Sequence, residues 1–437
     1  APSRSRWRPP SSSKERHRPR EPLGIAASKP DDRSRGIIAE HPWPGGSASS
    51  CRRSRRASSC SPPARTQVTP RRLPPDASSV SVGHRLFVAT ESGVTAYRLP
   101  CPESGCRALG RLEVPDPLIA GYPRPGHAQP ANTFRIGLVG RTLFVVAEVY
   151  LGEGSGIFAG RVLAFDPGCA LPCRPMWWTP PGRGLELPAV HGRWTYVGAS
   201  TGLAAYERCP RDGAVCRPAW TAPMNTRSGL MRMHTPVVHG RYVLALTTGC
   251  TCGGDGDAPM LAAFPSRCEG TCRPLWSARL PGGFAEGPAV CGGSVYASGG
   301  GGVLRFPLSC FGTCRPTARF LYPAPAFPRT PVPIGGYLLA PTNSPNRVLA
   351  FEATCSGRCE PVATWRAPGP LRTAVEAEGS LLVLSGRSVS LLPPPRSGRG
   401  WGPSMTWDLP RVAETVTLED GVALVGGDGW TRALRLP

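Results

Sequence analysis

"MLAAFPSRCEGTCRPLW", residues 260–276, is apolar for its first five residues, turns through two cysteines four positions apart and ends on tryptophan. Alone, the two thiols suit half a zinc site, a redox pair or a closed disulfide loop. Recurrence decides more than the motif does. The same opening returns in "GLAAYERC" (202–209), "RVLAFDPGC" (161–169) and "RVLAFEATC" (347–355), and the same ending in "CRPAW" (216–220). A second shared stretch precedes such units, a short apolar run broken by a Gly turn: "PAVHGRWTYVG" (188–198), "PVVHGRYVLAL" (236–246), "PAVCGGSVYAS" (288–298) and "PVPIGGYLLAP" (331–341). Apolar runs of this length on either side of a glycine read as a β-hairpin.

The turn glycines set the phase of the repeat. Gly83, Gly140, Gly192, Gly240, Gly292, Gly335, Gly379 and Gly421 are separated by 57, 52, 48, 52, 43, 44 and 42 residues. A four-stranded propeller blade needs about 40–50 residues, so the fold is expected to be all-β, a β-propeller of about eight four-stranded blades, with seven as the alternative. Composition agrees, since 53 Gly and 53 Pro would interrupt helices almost everywhere. The last unit, "AETVTLEDGVALVGGDGWTRALRLP" (413–437), has room for only three strands. An open blade edge is a pairing hazard, so "ARTQVTPRRLP" (64–74) is expected to supply the missing outer strand from the other end of the chain.

What precedes the repeats has a different character. Residues 1–75 hold 17 Lys/Arg against 5 Asp/Glu, so +12 of the net +22 sits there. Arg, Ser and Pro dominate, and apolar residues are too few to offset the entropy of ordering the stretch. Two regions are expected: a disordered basic segment over 1–75 and the propeller over 76–437. The segment reads as a solvated linker or leader, with contact to nucleic acid or an anionic surface as the lesser alternative. Lysine occurs only at Lys14 and Lys29, an Arg bias that GC-rich codons produce without selection for phosphate binding. No apolar run approaches the ~18 residues of a transmembrane helix, and no signal-peptide core is visible. Two "ASSC" stretches ending at Cys51 and Cys60 resemble a lipoprotein cleavage box, yet neither follows an apolar segment.

Six cysteine pairs occupy the same place in successive units: Cys101/Cys106, Cys169/Cys173, Cys209/Cys216, Cys268/Cys272, Cys310/Cys314 and Cys355/Cys359. Zinc would need four ligands converging on one ion, and each unit offers two thiols. Redox catalysis needs one activated thiolate beside a cation or helix N-terminus, which a six-fold repetition does not suggest. Facing positions of a hairpin lie ~4.5–5.5 Å apart at Cα, within disulfide reach. The pairs are therefore expected to be disulfides across the turn between the third and fourth strands, which implies an oxidising compartment, extracellular or cell envelope. Cys51, Cys60, Cys250, Cys252 and Cys291 remain, and 17 being odd, at least one is free or intermolecular. "CTCGGDGD" (250–257) carries Asp255 and Asp257 without the glutamate of a calcium loop, and reads as a polar surface insertion.

An aromatic residue follows the second cysteine by four positions at Trp177, Trp220 and Trp276, and by six at Phe320 and Trp365. Both offsets are even, so these rings share one face of their strands and are expected to wedge between blades. A unit built as Leu-Ala-Phe-Asp, a tight turn and a strand ending in Trp resembles the pyrroloquinoline-quinone-type propeller repeat. "LAFDPGCALPCRPMW" (163–177), with Ala164, Asp166 and Trp177, matches best. The resemblance covers about 79–437 and departs from the family by a Cys-bounded turn in place of Thr-Gly and by loss of the Asp at Glu207 and Pro265.

That family divides into quinoprotein dehydrogenases and non-catalytic propellers of the outer-membrane assembly lipoprotein type. The enzymes resemble one another in a vicinal Cys-Cys disulfide, a calcium held by Glu and Asn, and an Asp base; this chain has no adjacent cysteines. Glu148, Glu153, Glu186, Asp255, Asp257, Glu286, Glu376, Glu378 and Asp428 are scattered without ligand spacing. "GEGSG" (152–156) has the wrong register for a serine hydrolase, and His191 and His239 sit at turns. The expected role is a non-catalytic scaffold that binds protein partners on a propeller face, with no catalytic residue, cofactor or metal. The alternatives are a quinone-dependent dehydrogenase-like protein and an extracellular ligand sensor. Insertions at 116–132 and 250–259 would enlarge one rim.

Overall fold

The computed structural model describes residues 78–90, 92–99, 107–114, 132–150, 158–224, 233–248, 258–282, 285–323, 326–343, 345–396, 400–413, 415–419, 421–427 and 430–437. Every regular element among them is a β-strand. Blade four shows the plan: Val237–His239, Tyr242–Leu246, Met260–Pro265 and Trp276–Arg279 pair antiparallel in that order. The first two strands are joined by a two-residue turn through Gly240, and all eight phase-marking glycines hold φ between 54° and 74°. This left-handed backbone is cheap only for glycine and matches the twist of a tight hairpin.

Among the described residues, seven such sheets carry four to six strands, and an eighth, Thr415–Glu419, Val422–Gly427 and Trp430–Arg435, carries three. The first strands of neighbouring sheets lie side by side, and Thr415–Glu419 returns against Ser78–Val82, which closes a ring. The fold is a β-propeller. Residues 64–74, expected to complete the last sheet, lie outside the described residues. On that expectation, deleting 60–74 lowers the melting temperature by several degrees, as about 1–2 kcal/mol lost from an edge would; an unchanged melting curve refutes it.

Why these strands run apolar rather than alternate follows from the packing. Tyr242, Leu244 and Leu246 face blade five while Val243 and Ala245 face blade three, so the strand "YVLAL" is buried on both sides. Seven apolar clusters fill the spaces between consecutive sheets. The aromatics lie in them, each turned toward the following blade: Trp177 stacks on Tyr206 at 6.1 Å, Trp276 on Phe306 at 6.2 Å, and Phe320 meets Phe351 edge-on at 5.4 Å. Trp220 packs against Val243 and Phe264, and Trp365 against the Leu381 and Val383 cluster.

Five disulfides are present among the described residues, Cys169–Cys173, Cys209–Cys216, Cys268–Cys272, Cys310–Cys314 and Cys355–Cys359, with Cα atoms 5.4 to 6.1 Å apart. Cys101 and Cys106 lie outside that set. The loops do join third to fourth strands, but their geometry differs from a self-paired hairpin. Gly270–Thr271, inside the Cys268–Cys272 loop, pairs parallel with Trp220–Thr221 on the outer edge of blade three. Ala214–Val215, Gly312–Thr313 and Gly357–Cys359 do the same to blades two, four and five, and Cys173 bridges Leu112 of blade one. Each loop thus adds a short strand to the blade before it, hiding an edge that would otherwise template aggregation. Its second cysteine, 1 to 4 % exposed in all five, joins the apolar cluster beneath. Blade seven has no such pair: Trp401 stands four residues before Met405, the spacing of Cys272 to Trp276, and packs into the cluster that holds Trp365.

Candidate functional site

The ends of the sheets differ in character. At one end leave the links between second and third strands and between blades; at the other leave the Gly turns and cysteine loops. The insertions at 116–132 and 250–259 both depart from the first end, since they connect Ala108–Arg111 to Asn132–Val139 and Tyr242–Leu246 to Met260–Pro265. Their own residues are, apart from Asn132, Ala258 and Pro259, outside the described set.

Also at that end, three acidic and basic side chains that are far apart in sequence meet. Arg135 donates to Glu148 at 2.9 Å and to Glu186 at 2.7 Å, and to the Leu185 carbonyl. Glu148, 3 % exposed, accepts from the Leu185 amide at 2.8 Å through its other oxygen. Both carboxylate oxygens are thereby committed to holding the link between blades two and three. Glu148→Ala leaves the Leu185 amide unpaired and is expected to cost about 2–3 kcal/mol, discounted because Arg135 is partly solvated; chemical denaturation measures it, and a loss below 0.5 kcal/mol refutes the assignment. His234 makes a second junction, its Nε2 2.8 Å from the Ala285 carbonyl and Nδ1 3.8 Å from Glu286.

The opposite end carries a groove of about 950 Å³ between blades three and four. Two neighbouring turns, His191-Gly192-Arg193 and Gly240-Arg241-Tyr242, form its sides with Pro265, Ser266 and Arg267; Trp194, Tyr196 and Leu275 also line it, and Phe311 forms a lip. Trp194 stacks on Tyr196 at 6.5 Å, and the Tyr196 hydroxyl donates to the Ser266 carbonyl at 2.8 Å, tying the two blades. Burial pushes the Tyr196 hydroxyl up to about 12, with the charge of Arg267 acting against it. The Arg241 guanidinium lies 5.2 Å from the Tyr242 ring centroid and donates to its hydroxyl at 3.1 Å. Arg193 pairs with Glu207. Arg267 is exposed and has no carboxylate partner among the described residues, and no Asp or Glu lines the groove there. Such a surface attracts anions.

His191 lies at a turn, as its sequence context predicts, and no contiguous motif marks the groove. The signal available was the shared "VHGR" of 190–193 and 238–241, which sets an arginine at the same turn of two adjacent blades. Cys291, at the corresponding turn of blade five, is exposed. Among the described residues the scattered carboxylates come together at Glu148 and Glu186, through Arg135; Glu153, Asp255, Asp257 and Asp428 lie outside that set. No group of three His, Cys, Asp or Glu side chains suited to a metal occurs among the described residues, nor does any helix long and apolar enough to cross a membrane.

Solved structures share this architecture. BamB from Moraxella catarrhalis superposes with a TM-score of 0.56 at 15 % identity, covering 85 % of this chain and 99 % of its own. The likeness is one of fold. Apo AztD from Citrobacter koseri (TM-score 0.47, 12 % identity, 80 % and 94 % covered) and the periplasmic gluconolactonase PpgL from Pseudomonas aeruginosa (0.45, 17 %, 81 % and 99 %) are more distant. No family model matches the chain. No curated protein matches it either.

Proposed function

We propose that this chain is a non-catalytic β-propeller of an oxidising compartment, secreted or held at the cell envelope, that serves as a protein-binding scaffold. The observation that carries the reading is the open, arginine-lined groove with an exposed aromatic lip, a surface built for contact. The carboxylate cluster supports it from the other side, because both oxygens of Glu148 are used structurally. The five disulfides support the compartment, since short loops of this kind stay oxidised outside the cytosol.

Two measurements test the proposal. Reconstitution with pyrroloquinoline quinone and calcium is expected to give no quinone absorption band and no dye-linked alcohol oxidation; either signal overturns the scaffold reading in favour of a quinoprotein. Alkylation and mass spectrometry of the natively produced protein is expected to find the ten loop thiols blocked until reduction, and their ready alkylation overturns the compartment.

A further inference from the structure

We infer that the groove between blades three and four docks an acidic peptide segment that carries an apolar side chain. The inference rests on the scaffold reading and specifies the partner's chemistry. Arg241 and Arg267 supply charge, and a guanidinium fork matches a carboxylate in shape and is only weakly hydrated. Arg241 is already oriented by the Tyr242 hydroxyl, so little freedom is lost when it binds. His191 and Arg193 extend the basic rim, though Glu207 offsets the charge of Arg193.

Phe311 gives the groove its apolar half. The ring is 74 % exposed yet sits on a fixed loop, closed by Cys310–Cys314 and anchored by the Gly312 amide, which donates to the Leu275 carbonyl at 2.9 Å. A large apolar side chain held rigidly in water marks a contact surface, and Leu275 and Pro265 beside it suit an aliphatic or aromatic residue of a peptide. A single-stranded nucleic acid would instead need ring faces for its bases. Those of Trp194 and Tyr196 are stacked together and buried and the Tyr242 ring carries Arg241, which leaves Phe311 as a single open ring face, too little for a run of stacked bases. Anionic groups with an apolar anchor therefore fit better than stacked bases.

The test is a fluorescence-anisotropy titration of the full chain at low salt with three labelled probes: a twelve-residue Glu/Asp peptide with one central Leu, the same peptide all acidic, and a twelve-nucleotide single strand. The Leu peptide is expected to bind best. The double variant Arg241→Glu, Arg267→Glu weakens it by about 100-fold, about tenfold for each charged contact, and Phe311→Ser removes the preference for Leu. Arg366→Glu on the outer strand of blade six leaves binding unchanged. All four positions are exposed, and unchanged melting temperatures exclude misfolding. Absence of peptide binding, or wild-type affinity in the double variant, overturns the groove and leaves the scaffold reading standing. Tighter binding of the nucleotide also overturns it. Quinone-dependent oxidation overturns the scaffold reading and this inference with it.

Discussion

Trp276→Ala lowers the unfolding free energy by about 3–5 kcal/mol, the cost of a cavity left by a large ring in a packed interior. Trp276 is fully buried between blades four and five, stacks on Phe306 at 6.2 Å and donates through Nε1 to the Leu308 carbonyl at 3.0 Å. It therefore contributes both area and a cross-blade hydrogen bond. Trp276→Phe separates the two, keeping most apolar contact while leaving the Leu308 carbonyl unpaired, a further ~1–3 kcal/mol. Trp220 is the control. Its Nε1 is buried with no hydrogen-bond partner among the described residues, so Trp220→Phe removes an unsatisfied donor and costs less than Trp276→Phe. Denaturant midpoints followed by far-ultraviolet circular dichroism give the comparison. Equal losses at the two sites would mean that the Leu308 bond adds nothing, and a Trp276→Ala loss below 1 kcal/mol would remove the ring's role as a wedge.

The repeat was legible because its marks are local. A glycine that must hold a left-handed φ, an apolar run and a tryptophan at an even offset each declare themselves within a few residues, so the propeller and its period could be read directly. The destination of the cysteine loop could not. Gly270–Thr271 pairs with Trp220–Thr221 some 50 residues earlier, and nothing in "CEGTC" distinguishes a strand added to another blade from a turn paired with itself. The same holds for Glu148 and Glu186, which meet only because the link between blades two and three brings Glu186 back to Arg135. The groove draws on three blades, at His191, Arg241 and Phe311. Contacts made by the closure of a ring leave their trace in repeated positions, here the two "VHGR" turns, rather than in a contiguous motif.

Reduction of the disulfides is expected to have the largest effect of all, because each loop does two things. As a cross-link between cysteines four or, at Cys209–Cys216, seven positions apart, each contributes on the order of 2 kcal/mol, so the five together approach ~10 kcal/mol, comparable with the whole stability of an ordinary domain. As a parallel strand, each also covers the outer edge of the preceding blade at Trp177–Trp178, Trp220–Thr221, Trp276–Ser277 or Ala318–Phe320, or touches it at Leu112. One to three residue pairs of parallel ladder do not hold a loop in place once its covalent closure is gone, so these edges open and invite intermolecular pairing. The reduced protein should melt well below the oxidised one and aggregate as it does so, whereas the double variant Cys268→Ala, Cys272→Ala, which removes one disulfide, should lose only about 2 kcal/mol or slightly more, since Cys272 also fills the cluster beside Trp220. Calorimetry with and without a phosphine reductant, alongside light scattering, reads both effects. A reduced protein that melts within a few degrees of the oxidised one, without aggregation, would show that the backbone ladders suffice and that the cysteines are dispensable to the ring.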